Sequence, residues 1–326
     1  MSALPAADGP RAPRRWALAA GAALVVGCAV RPAAQRGATP PSLIERLRAR
    51  GLESAGAAPL TTWSHPVDRS RLAPLRTLIA SAQRWAAERL GVALPLHLAV
   101  LPRADWDALI TWQPYGIPGV GGQPAVVFMP AGDDGLAAED ALALVDRWRP
   151  STRAALVADG VDPATAARRY VDLVGLHELG HVFVGEIGLR PVRRWLGEWL
   201  ASFVGYAFLR ERMPAQARVW DAVLQGYVDA IAAPRHRSLG DFDRLYFGVG
   251  ARNYVWYQAQ FQQRVREVHA RDGIGFVDVL RRARLALGPD ADDPGSGVLL
   301  AALEAITPGW QAWAARVERG QSTAGG

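Results

Sequence analysis

The sequence His-Glu-Leu-Gly-His at positions 177–181 constrains this chain more than any other feature. In an α-helix the side chains of residues i and i+4 lie on one face, so His177 and His181 can bind a single Zn²⁺ ion together. Glu178 then points about 100° away from His177 and can reach a water molecule on that metal. The flanking residues are apolar, and no Asp, Glu, Lys or Arg lies between Glu178 and Glu186, which is typical of a buried helix. The pentapeptide therefore predicts an interior helix that carries the metal site of a zinc hydrolase.

A second interpretation is a buried helix whose two histidines only form hydrogen bonds. We favour the metal site because an apolar helix has little reason to carry two histidines and a glutamate unless these side chains are paired. Hydrogen bonding of the two imidazoles would also leave the glutamate beside the first of them without a role.

A zinc site needs at least one further protein ligand and an open position for water. Glu186 would be turned away from the metal if the first helix continues, because it stands five residues after His181. Glu198 is better placed, since it follows a predicted helix break at residues 188–191 and lies in a second apolar segment, residues 194–203. A solvated helix charge is the alternative for Glu198, but its apolar neighbours make an unpaired carboxylate costly. We expect this second helix to return antiparallel and to direct Glu198 towards the same metal.

The two segments together resemble a known family. His-Glu-x-x-His followed by Trp-Leu-Gly-Glu-Trp-Leu-Ala-Ser-Phe at residues 195–203 is similar to the gluzincin metallopeptidases, in particular the aminopeptidase N-like, or peptidase MA-like, group. The resemblance implies that His177, His181 and Glu198 bind Zn²⁺ as the cofactor and that Glu178 is the general base. The Gly-x-Met-Glu-Asn segment with which that group binds the free amine of a substrate is absent from this sequence. The resemblance therefore extends to zinc hydrolysis and not to aminopeptidase specificity.

The same resemblance implies a tyrosine downstream of the ligands that stabilises the oxyanion of the tetrahedral intermediate. Such a role needs a hydrogen-bond donor about 3 Å from the developing charge. Tyr246, Tyr254 and Tyr257 are the available residues. Tyr246, which stands just before a glycine-containing helix start, is the first choice and Tyr254 the second. Aromatic packing against the helix predicted from about residue 250 is the alternative for each of them.

Residues 1–27 are predicted to be a signal peptide. Three arginines precede the apolar stretch of residues 16–27, which is too short to span a bilayer comfortably. It ends in Val-Val-Gly-Cys, where Cys28 is the single cysteine of the chain and the pattern resembles a bacterial lipobox. The resemblance implies lipidation of Cys28, a flexible tether over residues 28–41 and a place in the bacterial cell envelope facing the periplasm, with Ala29 favouring the outer membrane. A plain signal peptide, or an uncleaved anchor with an incidental cysteine, is the alternative.

Composition sets the remaining expectations. With Cys28 lipidated no disulfide can form within the chain, so the core must be held by packing, for which 50% hydrophobic residues and twelve tryptophans are ample. The net charge of +6 is diffuse and comes without a nucleic-acid-binding motif, so no nucleic-acid partner is predicted. The expected partners are a peptide or protein substrate and, through Cys28, a membrane. The sequence does not set the oligomeric state.

We expect an α+β fold in which a small mixed sheet with helices is followed by a mostly helical, zincin-like subdomain, with the active-site cleft between them. Residues 42–134 are the predicted α+β part, with an edge strand near residues 124–130. Residues 135–326 are the predicted helical, zinc-binding part. The glycine-rich residues 116–122 are equally compatible with a mobile flap and with a plain loop. Helices are predicted at residues 42–50, 73–90, 135–148, 151–159, 163–186, 191–212, 215–232, 250–271, 274–287 and 296–316.

Zinc-dependent hydrolysis of peptide bonds is therefore the function that the sequence predicts. Two alternatives stay open. One is a catalytically inactive, lipid-anchored binding or assembly protein on the same fold, which the missing amine-binding segment favours and the complete set of ligands and base disfavours. The other is a zinc hydrolase that acts on a non-peptide amide.

Overall fold

The computed structural model describes residues 41–283 and 293–320. Helices dominate this part of the chain, as the apolar periodicity predicts. The α-helices within it are α1 (Leu43–Ala49), α2 (Arg69–Leu90), α3 (Arg103–Leu109), α4 (Leu136–Leu142), α5 (Pro150–Ala158), α6 (Pro163–Glu186), α7 (Arg194–Arg212), α8 (Pro214–Ala230), α9 (Leu239–Leu245), α10 (Ala251–Asp272), α11 (Phe276–Ala283), α12 (Gly295–Ile306) and α13 (Trp310–Arg319).

A five-stranded mixed sheet lies in the amino-terminal half of the described residues. Its strands are β1 (Glu53–Ala55), β2 (Leu60–Ser64), β3 (Leu96–Leu101), β4 (Gly119–Gly121) and β5 (Val126–Pro130), in the spatial order β1-β2-β3-β5-β4. The central strands β2, β3 and β5 are parallel, and both outer strands pair antiparallel. The predicted α+β class with a small mixed sheet is confirmed in this coarse form.

The prediction of an edge strand near residues 124–130 is wrong. A strand does form there as β5, but it is buried along its whole length and pairs with β3 on one side and β4 on the other. The edge strand on this side of the sheet is β4, which forms within the glycine-rich segment that by sequence alone is equally compatible with a flap and a loop. Gly119 is required in β4, because a Cβ at this position would lie 2.4 Å from the ring of Phe128.

The two faces of the sheet bury different sets of side chains. Leu98 and Val100 of β3 face the main core, whereas Ala99 and Leu101 belong to a smaller cluster with α1 and α3. This alternation is the period of two that strands impose on their side chains. The main core continues without interruption from the sheet and α2 through α6 and α7 to α13, so it extends across the boundary predicted at residue 134.

Helix α6, which carries the pentapeptide, begins and ends where the sequence predicts. Asp162 caps it by accepting a hydrogen bond from the backbone N–H of Thr165, and Pro163 occupies its first turn, where the missing N–H has no intrahelical partner to lose. The helix predicted at residues 296–316 is instead two helices, α12 and α13, because Pro308 and a left-handed Gly309 interrupt it.

None of the described helices combines the length and the apolar character needed to cross a bilayer. The predicted signal peptide, the lipidation site Cys28 and nearly all of the predicted tether lie outside the described residues.

Candidate metal centre

Helices α6 and α7 cross with their backbones almost in contact. A Cβ at Gly180 would lie 2.2 Å from the carbonyl oxygen of Ala201, and one at Gly205 would lie 3.1 Å from the carbonyl oxygen of Leu176. Real Cβ atoms do not approach backbone oxygen as closely as the first of these distances. The glycine inside the pentapeptide is therefore what allows α7 to run directly over the two histidines.

Three side chains converge at this crossing. His177 Nε2 lies 3.1 Å from His181 Nε2 and 3.2 Å from Glu198 Oε2, and His181 Nε2 lies 3.6 Å from Glu198 Oε1. Four ligand atoms that bind Zn²⁺ tetrahedrally at about 2.0 Å are separated from one another by about 3.3 Å. The nitrogen and oxygen spacing of this cluster is thus compatible with one metal ion bound by all three side chains, and two imidazoles with one carboxylate are a ligand set that divalent metals, zinc among them, accept. The structure brings together the three residues that the sequence predicts as ligands.

Burial makes the charges of this cluster interdependent. Glu198 is only 5% exposed, and burial by itself raises its pKa. The nearby His181 and His177 lower this pKa by more than burial raises it, so the net pKa lies well below the usual range. For His177 burial lowers the pKa, but the hydrogen bond and the charge of Glu198 raise it more, so the net shift is upward. Burial lowers the pKa of His181 to about 4, which keeps this imidazole neutral and able to bind a metal.

The second ring nitrogen of His177 also has a partner. Its Nδ1 lies 2.9 Å from the hydroxyl of Ser202, in a contact that is fully buried. If Nδ1 carries the proton and donates it to this hydroxyl, Nε2 is left unprotonated on the side of the cluster. A hydrogen bond of this kind orients a metal-binding imidazole and sets its tautomer. Ser202 stands four residues after Glu198, on the same face of α7.

Three further hydrogen-bond donors contact the carboxylate of Glu198. The hydroxyl of Tyr246 donates to Oε1 at 2.6 Å, the hydroxyl of Tyr254 donates to Oε2 at 2.9 Å, and Gln258 Nε2 donates to Oε2 at 2.7 Å. The two tyrosines predicted for the site are therefore in it, both on the carboxylate ligand. Tyr257 is not, since its hydroxyl donates to the backbone oxygen of Ser238.

Tyr246 stands at a strained turn between α9 and α10. Its φ of 48° makes it the one non-glycine residue with positive φ in the described part of the chain. The guanidinium of Arg194 lies 4.9 Å from its ring centroid, and the ring of Phe247, a residue that is 60% exposed, packs on it at 4.2 Å. Backbone strain of this kind persists where surrounding contacts over-determine a functional conformation.

Glu178 lies beside the cluster without being part of it. It is partly exposed, and its carboxylate forms no hydrogen bond or ion pair with any residue that the structure describes. Burial and the negative charge of Glu198 raise its pKa to about 7, although His177 acts in the opposite direction. A carboxylate poised near neutral pH can accept a proton and give it back.

Two residues of the centre were missed in the sequence. Ser202 could have been found, because it stands one helical turn after Glu198 and faces the same way. Gln258 carries no such signal from the ligands, since it is 60 residues away from Glu198 in sequence. Its only signal is its position four residues after Tyr254 on α10.

The fold and the site define a predominantly helical α+β protein with a buried His-His-Glu group that could hold a metal ion. Comparisons with protein-family models, with curated proteins and with solved structures find no match to this chain.

Proposed function

We propose that this protein is a zinc-dependent metallopeptidase of the gluzincin type. One observation carries the proposal: two imidazoles and a buried carboxylate converge at zinc-ligand spacing, next to a carboxylate, Glu178, that has no other partner in the described structure. A purely structural histidine pair would have no use for that second carboxylate. The gluzincin assignment itself rests on the resemblance of the two helical segments.

The chemistry would be divided among a few side chains. Bound Zn²⁺ would supply Lewis acidity, which polarises a water molecule and the carbonyl group of the substrate. Glu178 would accept the proton of the water and later deliver it to the leaving amine, a transfer that a pKa near 7 suits. Tyr246, at the more exposed end of the site, would donate its hydroxyl to the developing oxyanion.

The substrate would bind along β4, next to α6. Strand β4 is one of the two sheet edges, and it packs against the same helix that carries His177 and His181. An extended peptide pairing with this edge would run alongside α6. We further propose that the chain is lipid-anchored through Cys28 in the cell envelope, on the basis of its amino-terminal sequence alone.

Metal content and cleavage of a peptide library test the proposal together. Purified protein is expected to contain one zinc per chain and to cleave peptides, and a chelator should abolish cleavage until zinc is restored. His177→Ala should lose both zinc and activity, because it removes one of the three ligands of the metal. His236→Ala is the matched control. His236 lies outside the cluster, so this variant should retain both zinc and activity.

A chain that binds no zinc, or binds it equally well as His177→Ala, overturns the metal centre. Stoichiometric zinc without cleavage of any peptide refutes the peptidase and leaves the inactive binding protein or the hydrolase of a non-peptide amide. Cleavage of small non-peptide amides then separates these two.

Zinc affinity is expected to fall as pH is lowered. The pKa of His177 is raised above 6.5 in the folded chain, so below that pKa a proton must leave Nε2 before the metal binds. His181, with its pKa lowered to about 4, stays neutral and contributes no competing proton near neutral pH. Each unit of pH below the pKa of His177 should therefore weaken zinc binding by about tenfold, as one competing proton requires. Competition titrations with a chromophoric chelator across that range measure the slope, and a pH-independent affinity contradicts this assignment of protons.

A further inference from the structure

Gln258 and Tyr254 form a closed triangle of hydrogen bonds with the carboxylate of Glu198. Gln258 Nε2 lies 2.7 Å from Glu198 Oε2 and 3.0 Å from the hydroxyl oxygen of Tyr254, and that hydroxyl lies 2.9 Å from the same Oε2. The two residues are one turn apart on α10, so a single helix presents both to the ligand.

The direction of these bonds follows from what each group can do. An ionised carboxylate only accepts hydrogen bonds, so the side-chain amide of Gln258 must turn its NH₂ group, which has two hydrogens, towards Glu198. The second hydrogen of this group then points to the Tyr254 oxygen, which accepts it. Tyr254 is left with one hydrogen of its own, and Glu198 Oε2 receives it. Gln258 thereby fixes the orientation of the Tyr254 hydroxyl.

Among the described residues, no side-chain amide fixes the hydroxyl of Tyr246 in this way, although that hydroxyl also contacts the hydroxyl of Tyr254. Tyr246 bonds to the other oxygen, Oε1, and neither Gln258 nor another side-chain amide donates to its hydroxyl among the described residues. Aromatic packing does not distinguish the two tyrosines, since both rings contact the buried Phe242, at 5.6 and 5.7 Å, and the exposed Phe247, at 4.2 and 5.2 Å. The hydroxyl of Tyr254 thus has a polar partner, the amide of Gln258, that the hydroxyl of Tyr246 lacks, and Tyr246 is the easier of the two to turn from Glu198 towards a substrate.

We propose that Gln258 is a positioning residue that, with Tyr254, holds the metal-ligand carboxylate of Glu198 in place, so that Tyr246 alone is the tyrosine that contacts substrate. The proposal rests on the metallopeptidase function. The sequence left the oxyanion-stabilising role open to both Tyr246 and Tyr254, and the proposal gives that role to Tyr246 and a positioning role to Tyr254. It predicts that Gln258 and Tyr254 act as one unit on metal binding, whereas Tyr246 acts separately.

The test measures zinc affinity and the visible absorption of the Co²⁺-substituted protein, whose bands report ligand geometry. Gln258→Leu and Tyr254→Phe should each weaken zinc binding by about 10- to 100-fold and shift the Co²⁺ bands, as expected when a partner of a ligand is lost. The Gln258→Leu/Tyr254→Phe double variant should bind zinc as tightly as the single variant with the lower zinc affinity, because either change alone already breaks the triangle of hydrogen bonds. Tyr246→Phe should add its own effect in full when combined with Gln258→Leu, and alone it should lower kcat more than zinc affinity.

Gln262→Leu is the matched control. Gln262 lies one turn further along α10 and is more deeply buried, but its amide donates to Asp221 and not to Glu198. Its replacement should cost stability while zinc affinity and the Co²⁺ spectrum stay unchanged. Tyr254→Phe removes only one oxygen atom, so it still tests the proposal if Gln258→Leu fails to fold.

Wild-type zinc affinity and an unchanged Co²⁺ spectrum in Gln258→Leu or in Tyr254→Phe overturn the positioning role while the proposed function stands. So do independent, multiplicative losses in the Gln258→Leu/Tyr254→Phe double variant. A wild-type chain that binds no divalent metal overturns the proposed function and this inference with it.

Discussion

Glu178→Gln is expected to bind zinc as tightly as the wild-type protein and to lose peptide hydrolysis by about 1,000-fold or more. The substitution keeps the size and shape of the side chain and removes its ability to accept a proton. Glu178 lies outside the group of three ligands and makes no hydrogen bond in the described structure, so the cluster should not rearrange. Metal analysis and steady-state cleavage of one peptide substrate measure the two outcomes on the same sample.

Glu186→Gln provides the comparison. Glu186 is the last residue of the same helix and is exposed, so this variant should keep full activity. Full hydrolysis by Glu178→Gln with zinc still bound would mean that another group takes the proton, and the catalytic part of the proposal would be lost.

Gly180→Ala is expected to lower the free energy of unfolding by about 3 kcal/mol and to weaken zinc binding in the same protein. The added methyl group would lie 2.2 Å from the carbonyl oxygen of Ala201, and backbone cannot give way except by separation of the two helices. That separation moves Glu198 away from His177 and His181. Urea unfolding and zinc competition measure the two consequences.

Gly185→Ala on the same helix is the control for the close approach of α7 to Gly180. No atom lies within 4 Å of a Cβ at Gly185, so this change should leave stability unchanged or raise it by up to about 1 kcal/mol through helix propensity. If Gly180→Ala were as stable as Gly185→Ala and bound zinc normally, the close helix crossing would not be what positions the carboxylate.

The ligand-bearing helices were predictable because their signals are local. Asp162 and Pro163 mark the start of α6, apolar flanks mark its burial, and the pentapeptide fixes the face. Glu198 could be chosen over Glu186 because a carboxylate among apolar neighbours needs a partner.

What the sequence could not predict depends on contacts between distant segments. Strand β4 is Gly-Val-Gly, too short for an alternating pattern, and it forms because β5 offers a partner. Gln258 looks like any polar residue of an amphipathic helix until α10 packs on α7. The sequence likewise could not show that Gln258 contacts the hydroxyl of Tyr254 and not that of Tyr246, because this contact depends on the three-dimensional arrangement around Glu198.

All three ligands and Ser202 come from consecutive helices joined by the short segment of residues 187–193. Closing so short a connection costs little chain entropy, and contacts that are local in sequence form early in folding. We therefore expect the helix pair to be able to capture a divalent ion before the distant β1 and β2 strands have joined their sheet. An ion bound at that stage would serve as a template for assembly, so the supply of metal during biosynthesis would influence the yield of native protein as well as its later activity.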